Sequence, residues 1–427
     1  MIDRRAGVLA LAVSATVLAG CGGGGPPAAT DAAPSVVDAS GTVGASDVRP
    51  LAFSLPQAYR RRGPSYNWGC ASCESFEPGG DGSRGRLLTL DGEFKVNSSF
   101  PNTPAPASSI TFYGITPNGT AIGWNSDERR GFVQFGSTGQ TQLLPAHANP
   151  RFVAESGIVG GSVCLPDGSD CHAFHWSPSA PVLAEHPLFQ AAWMNNTGRM
   201  VGHYQPPGRA SQLATVDPDG TITPLGFDAG PGLSAWPRYI ADDGPVFLNV
   251  IREGDGNLDA VVVANGTATR VGRGIVARPD ICGICDCVER TFFTAFSATG
   301  HAVGVDHLEY PGPDGSTLVV EAGFHWSARD GATAVEVDAR TAIPTGVNAQ
   351  GAVVGLMADN QEPFLWHRDA RGVRLNPLLV DREIIPIQHI DIGDGGHLLI
   401  HDQDPFHADG SGMAGWAPVP AAAAPGG

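Results

Sequence analysis

Between residues 83 and 420 short apolar runs alternate with small polar breaks, and no stretch sustains the 3.6-residue apolar period of a helix. The breaks repeat one phrase, most legible as Asn195-Asn196-Thr197-Gly198-Arg199-Met200-Val201-Gly202 and Asn348-Ala349-Gln350-Gly351-Ala352-Val353-Val354-Gly355. A small polar run closing on Gly turns the chain, and the Val-rich run after it pairs as a strand. A second apolar stretch follows and often ends in Trp, as in His172-Ala173-Phe174-His175-Trp176, Gly323-Phe324-His325-Trp326 and Pro363-Phe364-Leu365-Trp366. A third comes after it, as at Ile222-Thr223-Pro224-Leu225-Gly226 and Val373-Arg374-Leu375-Asn376. Each copy therefore predicts about four short strands.

The turn glycines Gly119, Gly157, Gly198, Gly244, Gly300, Gly351 and Gly396 lie 38, 41, 46, 56, 51 and 45 residues apart. Units of this length with four strands suit propeller blades, since each small sheet has an apolar face that its neighbours cover. The expected fold class is all-β, a β-propeller of seven four-stranded repeats; an open stack of the same units is the alternative. The last copy runs from Ile390 to Trp416 and lacks a third stretch, while Arg86-Leu87-Leu88-Thr89-Leu90-Asp91-Gly92 upstream matches it. The ring is thus expected to close by an N-terminal strand completing the last blade, with Leu87–Leu90 beside Met413–Trp416, which also removes two open sheet edges.

Asn-x-x-Gly-x-x-Val-Gly followed by His-Ala-Phe-x-Trp resembles the extracellular HAF-repeat family, whose name is spelled by His172-Ala173-Phe174. Other copies keep parts of it: Ala322-Gly323-Phe324-His325-Trp326 lacks the first His, and Leu213-Ala214-Thr215-Val216 lacks the aromatics. The resemblance covers roughly 83–420. It implies an exported bacterial protein with an all-β repeat fold, and it carries no established activity or catalytic residue.

The chain starts with Asp3-Arg4-Arg5, an apolar run from Ala6 to Val17, and Leu18-Ala19-Gly20-Cys21. Residues 1–20 read as a signal peptide, the apolar run being too short to span a bilayer. The final quartet resembles a bacterial lipobox, which implies that Cys21 becomes a lipidated N-terminus. Gly22 after it favours the outer membrane by resemblance to Gram-negative sorting. Residues 21–50 are rich in Gly, Pro, Ala, Ser and Thr and read as a low-complexity tether. Residues 51–82 form a Cys-containing N-terminal segment, 83–420 the repeats, and 421–427 a disordered tail.

With 26 Lys and Arg against 43 Asp and Glu, the formal charge of −17 argues against nucleic acid and anionic lipid as partners. The abundance of Gly (57) and Pro (35) fits many turns. Of the cysteines other than Cys21, Cys164 and Cys171 bracket a six-residue turn and are expected to form a disulfide in an oxidising compartment. Pairing among Cys70, Cys73, Cys282, Cys285 and Cys287 is open, and an odd number leaves one over. The spacing of those five also admits zinc, against the disulfide default outside the cytoplasm.

Glu253-Gly254-Asp255-Gly256-Asn257-Leu258-Asp259 resembles the calcium loops of FG-GAP propeller repeats, although Ile251 stands where their first Asp falls. Glu253, Asp255, Asn257 and Asp259 are the candidate calcium ligands, because Ca²⁺ collects six to eight oxygens around a tight bend. The alternative is an inserted acidic turn. His175 and His325, at matching places in two copies, read as packing or turn residues, as does the repeated Trp. Neither Gly-x-Ser-x-Gly, His-Glu-x-x-His nor a phosphate loop occurs. The expected role is binding: a monomeric module presenting a surface to a protein or glycan partner, rather than an enzyme. The alternative is a hydrolase or lyase acting on an envelope or extracellular polymer, its site assembled at the propeller's channel mouth.

Overall fold

The computed structural model describes residues 59–66, 84–88, 94–98, most of 110–402 and 412–418, by backbone alone before 113 and after 400. Among these the chain is all-β, and its sole helical element is the 3-10 turn Asn376–Leu378. The strands form antiparallel four-strand ladders in chain order over residues 110–143, 148–186, 189–224, 233–271, 288–334 and 340–374. The ladders at 233–271 and 288–334 share one sheet through a parallel bridge between Leu258 and Arg290. A last ladder holds Ile387–Ile392, Leu398–Asp402 and Gly412–Pro418.

The recurring phrase is the turn from the first to the second strand of each unit. In the third unit Asn195 N donates to Arg199 O at 3.0 Å and Gly198 N to Asn195 O at 3.0 Å. The same two bonds recur at Ala154, Ala241, Ser297, Asn348 and Gly393. Gly198 and Gly351 sit at φ 85° and 78°, a region that L side chains rarely enter, so the phrase must carry Gly there. Where the first residue is Asn, its side chain also ties units together. Asn195 Nδ2 donates to Ala241 O (3.1 Å) in the next unit, and Asn348 Nδ2 to Gly393 O (3.3 Å).

The second glycine of the phrase answers a close approach. A Cβ on Gly202 would lie 2.0 Å from Gln190 O on the first strand, and one on Gly355 2.1 Å from Ile343 O. Across from such glycines stands the Phe of the third strand: Phe132 opposite Gly123, Phe174 opposite Gly161, Phe324 opposite Gly304, Phe364 opposite Gly355. These four Phe are fully buried. In the fourth unit Leu248 faces Val261 instead, so that copy carries neither the Gly nor the Phe.

Each apolar cluster joins two units that are neighbours in sequence. Ile122 and Val133 of the first unit pack with Val159, Phe174 and Trp176 of the second, and Phe247 and Val262 of the fourth with Phe293 and Phe324 of the fifth. Trp176, Trp326 and Trp366 are buried as expected for core between units; the side chain of Trp416 lies outside the described residues. The first strands of successive units pack on one another, 110–115 on 148–153, 148–153 on 189–194, 189–194 on 233–240, 288–296 on 340–347 and 340–347 on 387–392. They therefore lie side by side in two runs, 110–240 and 288–392, which a propeller would place innermost.

The expected closing strand is corrected. Residues 84–88 pair with Phe94–Ser98 in a separate hairpin, Leu88 opposite Phe94. Pairing with a segment a few residues on is cheap in loop entropy compared with a partner over 300 residues away. The fourth strand of the last ladder is Tyr59–Tyr66, inside the segment expected to precede the repeats, with Arg61 opposite Trp416. Its register shifts between Arg62 and Tyr66, where Gly63 and Pro64 fall, a place where a sheet tolerates Pro.

Candidate functional site

The inner strands share a local device. Their pairing with the second strand jumps by one residue at Tyr113, Arg151, Ala192, Arg238, Thr294 and Thr345, in each case three positions before the turn phrase. A bulge re-aims its extra residue out of the ladder. The two ends of the array use it differently. Thr294 Oγ1 donates to Pro344 O at 2.9 Å and Thr345 Oγ1 to Ile390 O, so the fifth and sixth units spend the bulge on a staple to the next unit. In the first, second and fourth units it carries Tyr113, Arg151 and Arg238, all exposed.

Large exposed aromatics gather on the same strands. Trp236 is 53% exposed, and its ring meets the His203 imidazole edge-on at 5.9 Å. His203 lies opposite Gln190, an exposed residue of the third unit's inner strand. Burial holds the His203 pKa below the usual range, and its enclosed Nε2 has no hydrogen-bond partner among the described residues. Trp193 packs between Phe152 (5.7 Å) and Tyr239 (5.2 Å), so aromatic contact runs across three units. A half-exposed indole beside a neutral imidazole lacking a partner, with guanidinium groups on the same layer, suits a ligand having both an apolar face and polar or anionic groups.

A second cluster lies on the fifth unit, where Arg290, His307 and Glu321 stand in register on three adjacent strands. His307 Nδ1 meets Glu321 Oε1 at 2.6 Å and Nε2 meets Glu309 Oε1 at 2.8 Å, while Arg290 holds the same Glu309 oxygen at 2.7 Å. The Glu321 hydrogen bond is the main cause that raises the His307 pKa, and it lowers that of Glu321. Two carboxylates, one at each nitrogen, favour the protonated ring, in which both nitrogens donate and no lone pair is left to act as a base.

His175, His186 and His325 are internal. His175 Nε2 donates to Gly198 O of the next unit at 2.6 Å. Its Nδ1 is therefore an acceptor, and His186 Nε2 donates to it at 2.6 Å. His325 Nε2 meets His301 Nδ1 at 3.0 Å. Burial is the largest cause that pushes His325 down to about 3 and His186 to about 4.

Cys164 and Cys171 form the expected disulfide. Cys287 is also disulfide-bonded, to a partner outside the described residues, which removes one thiolate from the zinc alternative. Cys21, Glu253 and Asp255 lie outside the described residues. The other two candidate calcium ligands have protein partners: Asn257 Oδ1 accepts from Glu289 N at 2.7 Å, and Asp259 faces Arg270 at 3.2 Å and Arg273 at 3.9 Å. Among the described residues no group of three or more His, Cys, Asp or Glu is placed to hold a metal ion. Sequence reasoning missed Trp236, Trp193 and His203. The available signal was position, because these Trp depart from the third-strand place that Trp176, Trp326 and Trp366 hold.

No protein-family model and no curated protein matches the chain. Among solved structures, the chain is similar to the β-propeller domain of the Trilobed protease from Pyrococcus furiosus, at 7% identity and TM-score 0.40, over 73% of this chain and 94% of that one. It is likewise similar to the polysaccharide lyase Uly1, at 8% identity and TM-score 0.41, over 85% and 97%. Regucalcin from Agrobacterium tumefaciens, a calcium-binding protein, aligns at 13% identity and TM-score 0.27, over 77% and 92%. Likenesses this distant carry no argument about activity.

Proposed function

We propose that the protein is a lipid-anchored cell-envelope β-propeller of the HAF-repeat type, held at the outer membrane through Cys21, that binds a glycan on its inner layer around Trp236. Seven repeats form the ring, and Tyr59–Tyr66 closes it by completing the last blade. The observation that carries the binding reading is Trp236, 53% exposed on an inner strand beside the unpartnered His203. Burying an indole stabilises the fold, so a large exposed one is unexplained by folding and suits stacking on a sugar face. Arg151 and Arg238, exposed on inner strands of a chain with net charge −17, favour a glycan with carboxylate groups.

The test is intrinsic tryptophan fluorescence titrated with alginate as a polyuronate and with dextran as a neutral control. Alginate is expected to shift the emission, and Trp236→Ala is expected to weaken binding by about tenfold, the worth of one stacking contact. No response to alginate, or equal binding by Trp236→Ala, contradicts the reading.

A second reading, a hydrolase or lyase acting on an envelope polymer, has one observation in its favour, the Glu309–His307–Glu321 row. It is the weaker of the two because those groups already satisfy one another.

A further inference from the structure

We infer that the long hairpin of the fifth unit is a self-pairing edge through which two copies of this chain join their sheets. The second strands of the other units run five to seven residues, whereas here Ala302–Pro311 and Thr317–Ser327 run ten and eleven. The outer strand Gly331–Ala334 pairs only with Phe324–Ser327, and Val335 N reaches Gly323 O at 2.9 Å. Beyond that, among the described residues, no strand pairs with the outer edge of residues 317–322. Leu318, Val319 and Val320 there are 39, 54 and 40% exposed.

Sheets protect their open edges with Pro, charge or brevity. The other outer strands do so: Ala180–His186 carries Pro181 and Glu185, Thr267–Val271 carries Arg270, Ile222–Pro224 ends in Pro, and Val373–Arg374 has two residues. The edge from Thr317 to Val320 has none of these. An unprotected aliphatic edge is a template for one more strand.

The register identifies the occupant. Thr317-Leu318-Val319-Val320-Glu321 is complementary to itself when paired antiparallel about Val319. Thr317 then faces the partner's Glu321, Leu318 the partner's Val320, and Val319 the partner's Val319, an arrangement of β-branched and aliphatic cross-strand pairs. The one charge, Glu321, meets a hydroxyl and is already held by His307 of its own chain at 2.6 Å, so like charges do not oppose. The two-fold axis through Val319 closes the assembly at two copies. This departs from the expectation of a monomer. So short an edge buries less than the roughly 1,200 Å² of a stable interface, which makes the dimer weak. Repulsion between two acidic chains adds to this, so salt strengthens it.

Sedimentation velocity on the full chain carrying Cys21→Ser, from about 1 µM to about 1 mM, tests this over the range where such interfaces dissociate. The expected result is a monomer–dimer equilibrium that Val319→Lys abolishes with unchanged circular dichroism. Val182→Lys, on the outer strand of the second unit, leaves it intact. A monomer at every concentration overturns the inference, as does a dimer that survives Val319→Lys. Should Val319→Lys fail to fold, oxidised Val319→Cys is expected to yield a crosslink between the two copies of residue 319 on peptide mapping, and its absence overturns the inference.

Discussion

Asn348 offers the most direct test of the idea that the turn phrase holds the array together. Its side chain is 2% exposed and makes three bonds: Oδ1 accepts from Gln350 N at 3.1 Å and Ala352 N at 2.9 Å, and Nδ2 donates to Gly393 O at 3.3 Å. Asn348→Ala removes all three. A neutral hydrogen bond contributes about 1 kcal/mol net, and a buried donor left without a partner costs about 1–3 kcal/mol. Gln350 N is partly exposed and regains water, whereas Ala352 N is enclosed, so the loss should total about 2–4 kcal/mol. The turn itself should survive, because Ala154 and Ala241 make the same backbone bonds without an amide side chain. Asn196→Ala serves as the control, since that side chain reaches only Asp242 at the surface (3.1 Å) and its loss should cost under about 1 kcal/mol. Urea unfolding followed by tryptophan fluorescence measures both. Equal costs for the two variants, or a cost under about 0.5 kcal/mol for Asn348→Ala, would refute the reasoning.

The buried histidines predict acid lability. His325 falls from 6.5 to about 3 on folding, so the unfolded chain binds the extra proton between those pH values. Stability from this site is complete above about pH 6.5 and is lost at up to about 1.4 kcal/mol per pH unit below it. The urea midpoint should therefore fall between pH 7 and pH 5. His325→Leu, the residue type at the matching Leu365, should lessen that fall; an unchanged pH dependence in the variant would count against the assignment.

The turn phrase and the third-strand Trp were legible in the sequence because their causes are local. Gly198 and Gly351 are fixed by a positive φ within a few residues, and the buried Trp176, Trp326 and Trp366 repeat at one place in the second, fifth and sixth units. The disulfide was legible for the same reason, as Cys164 and Cys171 lie only 7 residues apart. The fourth strand of the last ladder was not. Tyr59–Tyr66 reads YRRRGPSY, with no apolar alternation, and it pairs at the last ladder's edge through backbone that carries no sequence mark. The acidic stretch from Glu253 looked like a calcium loop because spacing alone was visible. Asp259 meets Arg270 and Arg273 only once the hairpin after it has folded. The inner-layer residues were hidden by register, since Arg151 and Arg238 stand out only when a one-residue jump at equivalent places is seen.

Closure of the array by the N-terminal strand is the claim on which the propeller reading most depends, and a crosslink tests it. Arg61 and Trp416 are direct partners across the ladder, so Arg61→Cys with Trp416→Cys should form a disulfide on mild oxidation, identified by peptide mapping. The account predicts that link and a higher unfolding temperature for the oxidised protein. Failure of that pair to link, with a link forming instead between Leu87→Cys and Trp416→Cys, would contradict it and return the closing role to the hairpin at 84–98.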